Sequence, residues 1–163
     1  IQTMPAYDSG NNVFYSRSSG DTVNVVSRVD GSLSGTITLD TATAGSGILS
    51  DDAIGFSESD GWLIVLDTSN NSAVIFDLAG DYVGTTMLDI SVPTEFRMGF
   101  TNAQLFVWDS SASGWQGYDI GAAVGPPSPG PGGATQIPTT PFWSLVLLAG
   151  LLGMVGLRGR RMR

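Results

Sequence analysis

The sequence of 163 residues contains no cysteine, no histidine and no lysine. The missing cysteine excludes a disulfide framework and a thiolate metal site, and leaves the redox compartment unmarked. The missing histidine removes the commonest general base and the commonest metal ligand. The missing lysine removes Schiff-base and P-loop chemistry. Positive charge is scarce as well, with 7 arginines against 15 acidic residues. All the acids lie between Asp8 and Asp119, where only Arg17, Arg28 and Arg97 oppose them, so that stretch carries a net −12. Such a body lacks the basic face that displaces counterions from nucleic acid, and nucleic acid is not an expected partner. Its charge serves solubility. A sustained helical period is also lacking anywhere before residue 142.

Three zones remain. Residues 1–119 are rich in Ser, Thr, Asp and Gly, and are punctuated by short runs of β-branched and aromatic residues: VFYS, VNVVSRV, GTITL, GWLIVLD, SAVIFDL, YVGTTMLDI, FRMGF and AQLFVWD. Gly, Asn, Asp or Ser bounds each run, which is the pattern of strands joined by tight turns. Residues 120–141 carry six of the eight prolines and form a linker. Residues 142–157 are apolar, and a basic tail, 158–163, follows. The fold class expected is all-β, followed by one C-terminal transmembrane helix.

The β zone repeats. GWLIVLDTSNNSAVIFDLAG (61–80) aligns with AQLFVWDSSASGWQGYDIGA (103–122). Leu63, Val65, Asp67, Phe76, Asp77 and Leu78 fall on Leu105, Val107, Asp109, Tyr118, Asp119 and Ile120, each at an offset of 42. IGF (54–56) matches MGF (98–100), and residues 25–40 lie over 74–89 at an offset of 49. A repeat of about 40–50 residues with about four strands is the signature of a propeller blade, because one small twisted sheet cannot bury both faces alone. A β-sandwich with look-alike strands is the competing architecture. The turn segments DTSNN and DSSAS suit backbone capping by Asp and Asn. Calcium is the other use for such oxygens, but no D-x-D-x-D-G loop is present and no metal site is expected. Phe14, Phe56, Trp62, Phe76, Phe100, Phe106 and Trp108 read as packing residues between blades, with a carbohydrate-stacking role open for one or two of them.

Within the best copy, Asp67, Asn70, Asn71, Val74, Phe76, Asp77 and Gly80 resemble the outline of an NHL repeat. The resemblance implies a β-propeller, usually of about six blades. Three copies are too few for such a ring, and the chain opens on Ile1 with no charged-then-apolar leader. Both point to a fragment of a longer repeat protein.

The segment FWSLVLLAGLLGMVGL (142–157) carries no charge. As a helix it spans about 24 Å, which nearby Thr139, Thr140 and Pro141 and snorkelling arginines extend towards the ~30 Å of a hydrocarbon core. Leu145, Val146, Leu147, Leu148, Leu151, Leu152, Val155 and Leu157 form the anchor. Arg158, Arg160, Arg161 and Arg163 stop transfer, since carrying each across costs roughly 3 kcal/mol while anionic headgroups favour each by about 1 kcal/mol. The acidic zone then faces outward. A buried helix of a soluble domain is the competing reading, disfavoured by the linker before the segment and the arginines after it.

Ile137, Pro138, Thr139 and Trp143, ahead of that span and the terminal arginines, resemble the IPTL-CTERM sorting signal, a relative of the PEP-CTERM signals of Gram-negative bacteria. The resemblance covers about the last 27 residues. It implies export, retention in the inner membrane and recognition by an exosortase-type transpeptidase. The outer domain would then pass to the cell surface or matrix, with surface polysaccharide as a possible partner. No cofactor is implied and no catalytic residue is expected, since no nucleophile–base pair stands out. The alternatives are a membrane-tethered fragment of a propeller hydrolase or lactonase, and a single-pass protein that is never cleaved.

Overall fold

A computed structural model describes residues 3–93, 97–101 and 103–120. Eleven strands and one helical turn follow one another in three antiparallel sheets. The first sheet is β1 (Ala6–Asp8), β2 (Val13–Arg17), β3 (Thr22–Ser27) and β4 (Leu33–Thr38), paired in that order. A single turn, α1 (Thr41–Ala44), leads to the second. That sheet is β5 (Gly55–Ser57), β6 (Trp62–Asp67), β7 (Ser72–Asp77) and β8 (Tyr82–Met87). The third comprises β9 (Met98–Thr101), β10 (Gln104–Asp109) and β11 (Gly114–Asp119). The chain is therefore all-β through its described length, apart from α1.

Most strands fall on the runs that composition marks. β1, β5 and β11 do not, because AYD and GFS are too short and GWQGYD too rich in glycine and polar residues to show an apolar pattern. α1 is also outside the sequence expectation. Its 4 residues have no apolar face; Asp40 caps it by accepting from the Thr43 amide at 3.0 Å, and Gly45 ends it in the left-handed region.

The repeat is structural. Leu63 faces Phe76 across β6–β7, and Leu105 faces Tyr118 across β10–β11, so the offset of 42 holds on both strands of the hairpin. The first sheet matches the second less uniformly. The pair Val13–Ser27 corresponds to Trp62–Asp77, an offset of 49 on β2 and 50 on β3. Gly35 and Gly84, both facing the strand before them, restore 49 on β4. The β2–β3 turn is one residue shorter than its counterpart and the β3–β4 turn one longer, so an ungapped alignment at 49 misplaces β3 by one residue. Both third strands carry their register shift at the same place, Val25/Val26 and Ile75/Phe76.

Packing follows the pleat. On β6 and β7, Leu63, Val65, Val74 and Phe76 join a core with Tyr15 and Val23 of the first sheet. The alternate residues Ile64, Leu66, Ala73 and Ile75 join a core with Leu105, Val107 and Tyr118 of the third. The second sheet is thus covered on both faces, and five of the six residues of β6 are buried. Two buried faces demand a continuous apolar run, which is what GWLIVLD supplies. Two glycines permit the approach of the sheets. A Cβ on Gly80 would lie 2.0 Å from the Thr38 carbonyl oxygen, and its φ of +93° also favours glycine. A Cβ on Gly55 would press at 3.0 Å on Met98 and Phe100.

Candidate functional site

The sorting motif Ile137, Pro138, Thr139 and Trp143, the anchor Leu145–Leu157 and the four terminal arginines all lie outside the described residues. Among the described residues no helix is long and apolar enough to cross a membrane. What the structure places is the β body, and it offers three features: capped acidic turns, one buried arginine, and two sheet faces that nothing in the described chain covers.

Asp67 closes the β6–β7 hairpin and is fully buried. It accepts from the amides of Gly47 (2.7 Å), Ser69 (3.0 Å) and Asn70 (3.1 Å), from the Ser69 hydroxyl (2.9 Å) and from the Asn70 side-chain amide (2.8 Å). Burial alone would push this carboxyl up; the Gly47 amide and the Ser69 and Asn70 donors outweigh it and hold it below its ordinary value. The turn ends on Asn71 at φ 50°, whose side chain accepts from the Val92 amide at 3.1 Å and ties the chain after β8 to the hairpin. Asp109 repeats the device with Ser111, and the turn ends on Ser113 at φ 51°. Asp8 does the same in β1–β2, accepting from Asn11 and from the Tyr15 hydroxyl at 2.9 Å. These oxygens are met by donors, the arrangement of a turn cap and not of a cation site. Among the described residues no group of three or more Asp or Glu is placed to hold a metal ion.

Arg17 is the buried cation. It donates to the carbonyls of Ser50 (3.0 Å), Thr22 (3.1 Å) and Gly20 (2.6 Å), and lies 3.4 Å from Asp51. The guanidinium thus fastens the β2–β3 turn of the first sheet to the segment that enters the second. Burial lowers its proton affinity, and Asp51 and Asp21 partly restore it. Nothing in the sequence distinguishes Arg17 from Arg28, which is at the surface over the Tyr7 ring at 5.5 Å.

No family model matches the chain, and no curated protein aligns with it. Its site is therefore read from geometry alone. Two grooves exist. One, about 280 Å³, lies where the first strands of the three sheets converge, and is lined by Met4, Pro5, Tyr7, Phe56, Met98 and Phe100. The other, about 250 Å³, lies beside α1 and includes Ser46, Asp67, Asn70, Ser72 and Thr85. The first is lined mainly by apolar and aromatic side chains and presents no nucleophile–base pair. In the second the only acid is Asp67, already engaged as a turn acceptor.

The aromatic residues divide. Phe76 is in the core, and Trp62, Phe56 and Phe100 pack against the two cores. Phe14 instead stacks on Tyr7 at 5.1 Å on the outer face of the first sheet. Trp108 meets Trp115 edge-on at 5.7 Å on the outer face of the third. A T-shaped pair presents an edge, not the flat platform on which a sugar ring stacks.

The titrating groups give a testable pH profile. Without histidine, lysine or cysteine, no side chain ordinarily changes charge between about pH 5 and pH 9. Asp8 and Asp67 are held below their ordinary 3.8, so their contribution is complete above that value and is lost as pH falls through the depressed folded values. Tyr15 and Tyr118 are pushed above their ordinary 10.0, by burial first and then by Asp8 and Asp89. Their contribution is complete below 10.0 and fades as pH rises beyond it. Thermal melts followed by circular dichroism should show a flat stability plateau falling at both ends, and Asp67→Asn should make the acid limb shallower. A maximum near neutral pH would contradict these assignments.

Proposed function

We propose that this chain is a sorted bacterial surface protein: an acidic, non-catalytic β-repeat domain that is exported, held in the inner membrane by its C-terminal segment, and released or transferred by an exosortase-type transpeptidase. The observation that carries the reading is the succession of a Pro/Gly-rich linker, the Ile137-Pro138-Thr139 and Trp143 motif, sixteen uncharged residues and four arginines. Sixteen uncharged residues beside four guanidinium groups rest stably in a bilayer only with the charges on the cytoplasmic side. Within the outer domain, the three sheets form successive blades of a propeller-type array. The recurrence of the same cross-strand pairs in each sheet, and the packing of the second sheet between the other two, support this arrangement. The body serves binding or matrix structure, since its buried acids Asp8, Asp67 and Asp109 are engaged as turn caps and the two grooves described lack a nucleophile–base pair.

Intact-mass spectrometry of the mature protein from the producing cell tests the sorting. Loss of the residues after the motif is expected, and a mature form that retains Arg163 would refute processing. Retention is tested separately. Replacing Leu148 and Leu151 by Asp costs roughly 3 kcal/mol per residue at mid-membrane and removes two favourable leucines. The double variant should move from the membrane fraction to the periplasm or medium with its β domain folded; persistent membrane retention would refute the anchor.

A further inference from the structure

The groove beside α1, about 250 Å³, is the open end of the core between the first and second sheets. Both of its walls belong to the described chain. One is residues 44–46, where α1 ends. The other is the second sheet. There Asp67, Ser72 and Met87 stand opposite one another on β6, β7 and β8, and Val74 stands opposite Thr85. The pleat puts them on the face that carries Leu63, Val65 and Phe76, so the apolar row of the core gives way at this end to Ser72 and Thr85. Two hydroxyls in the lining have no partner among the described residues. Ser72 is only 2% exposed, and its hydroxyl takes part in no hydrogen bond. The Ser46 hydroxyl is buried and equally unpartnered. The hairpin does not need the first of them: in the third sheet the place opposite the capping Asp109 is taken by Gly114, with no side chain at all. A buried hydroxyl without a partner costs stability, which a ligand that supplies the partner recovers.

We infer that this groove binds one uncharged sugar unit, its hydroxyls on Ser46, Asn70, Ser72 and Thr85 and its C–H face on Val74 and Met87. The polar set is neutral. Thr85 shares a hydrogen bond with the Tyr82 hydroxyl at 3.0 Å and keeps capacity for another. Asn70 gives its amide nitrogen to Asp67 at 2.8 Å, which leaves its side-chain oxygen as an acceptor. Asp67 is engaged by five donors, and no arginine lines the groove, so no charge is offered to an ion. Convergent hydroxyls beside carbon surface suit a ligand that is itself part hydroxyl and part C–H. The lining holds no aromatic platform, so one unit binds weakly, in the millimolar range. The inference rests on the binding role proposed for the body and not on the sorting of the C-terminus.

The test is an amide NMR titration of the isotope-labelled full-length protein in a sugar-free detergent. The probes are glucose, galactose, mannose and N-acetylglucosamine, with glucuronate, which adds a carboxylate to the glucose frame, as the charged control. At least one neutral sugar should shift the amides of Ser46, Ser72 and Thr85 with a millimolar Kd, and glucuronate should not. Ser72→Ala should weaken that sugar about fivefold, the worth of one hydrogen bond, and leave the urea midpoint of the free protein unchanged or higher. Ala44→Leu, on a helical turn with no buried residue, should fill the groove and abolish binding. No sugar-dependent shift up to about 100 mM, a hundredfold above a 1 mM Kd, would overturn the proposal, as it would if a protein segment already filled the groove. Equal binding of glucuronate, or an affinity that neither variant changes, would overturn it too. None of these outcomes bears on processing, which intact mass reads separately.

Discussion

Asp67→Ala should lower the unfolding free energy by about 3–5 kcal/mol, read as the urea midpoint multiplied by an unchanged slope. The substitution leaves five donors without their acceptor, three of them backbone amides. An unsatisfied buried donor costs about 1–3 kcal/mol, and some of the five will recover water because the turn adjoins an open groove. The change also frees Gly47, which anchors the segment between α1 and the second sheet. Asp67→Asn keeps an acceptor oxygen and should lose less than half as much. A loss below about 1 kcal/mol for the alanine variant would show that the turn is held by its backbone alone. The equivalent Asp109→Ala should cost less, because two of the hydrogen bonds to Asp109 come from one residue, Ser111, and among the described residues none comes from another sheet.

Arg17→Ala should be of comparable size, about 3–5 kcal/mol, for the opposite electrical reason. It empties a fully buried volume, strands the carbonyls of Ser50 and Gly20, and removes one of the two donors to the Thr22 carbonyl, the other being the Ser18 amide. Arg17→Met refills most of the volume but no hydrogen bond, so the difference between the two variants measures the cavity and the remaining loss measures the carbonyls. Because Asp51 is 37% exposed, its ion pair is screened and adds little. Adding salt should therefore leave the Arg17→Ala deficit almost unchanged. A deficit that shrinks strongly in salt would relocate the effect to the Asp51 pair.

Both residues show where sequence reading succeeds and where it stops. Asp67 was legible: an acid followed by Thr, Ser, Asn and Asn between two apolar runs has a local use, and a turn of this kind needs little beyond its own residues. Its Gly47 partner was not legible, being 20 residues distant. Arg17 carried no signal at all, since its three carbonyl partners are backbone groups with no residue identity. β1 was hidden in the same way, specified by pairing with β2 more than by composition, whereas β11 was marked by the repeat and not by its own apolar pattern.

The sequence by itself determined the strand-and-turn grammar, the offset of 42 and the division into acidic body, linker, apolar segment and arginine tail. Those are local properties of composition and spacing, readable one window at a time. Only the tertiary structure decided which apolar residues are covered. Leu63 and Phe14 occupy matching positions and have similar hydrophobicity, but Leu63 is sealed by the first sheet while Phe14 shares an open face with Tyr7. Burial depends on what lies opposite, and that partner is set by the stacking order of whole sheets, a long-range property no single run of residues contains.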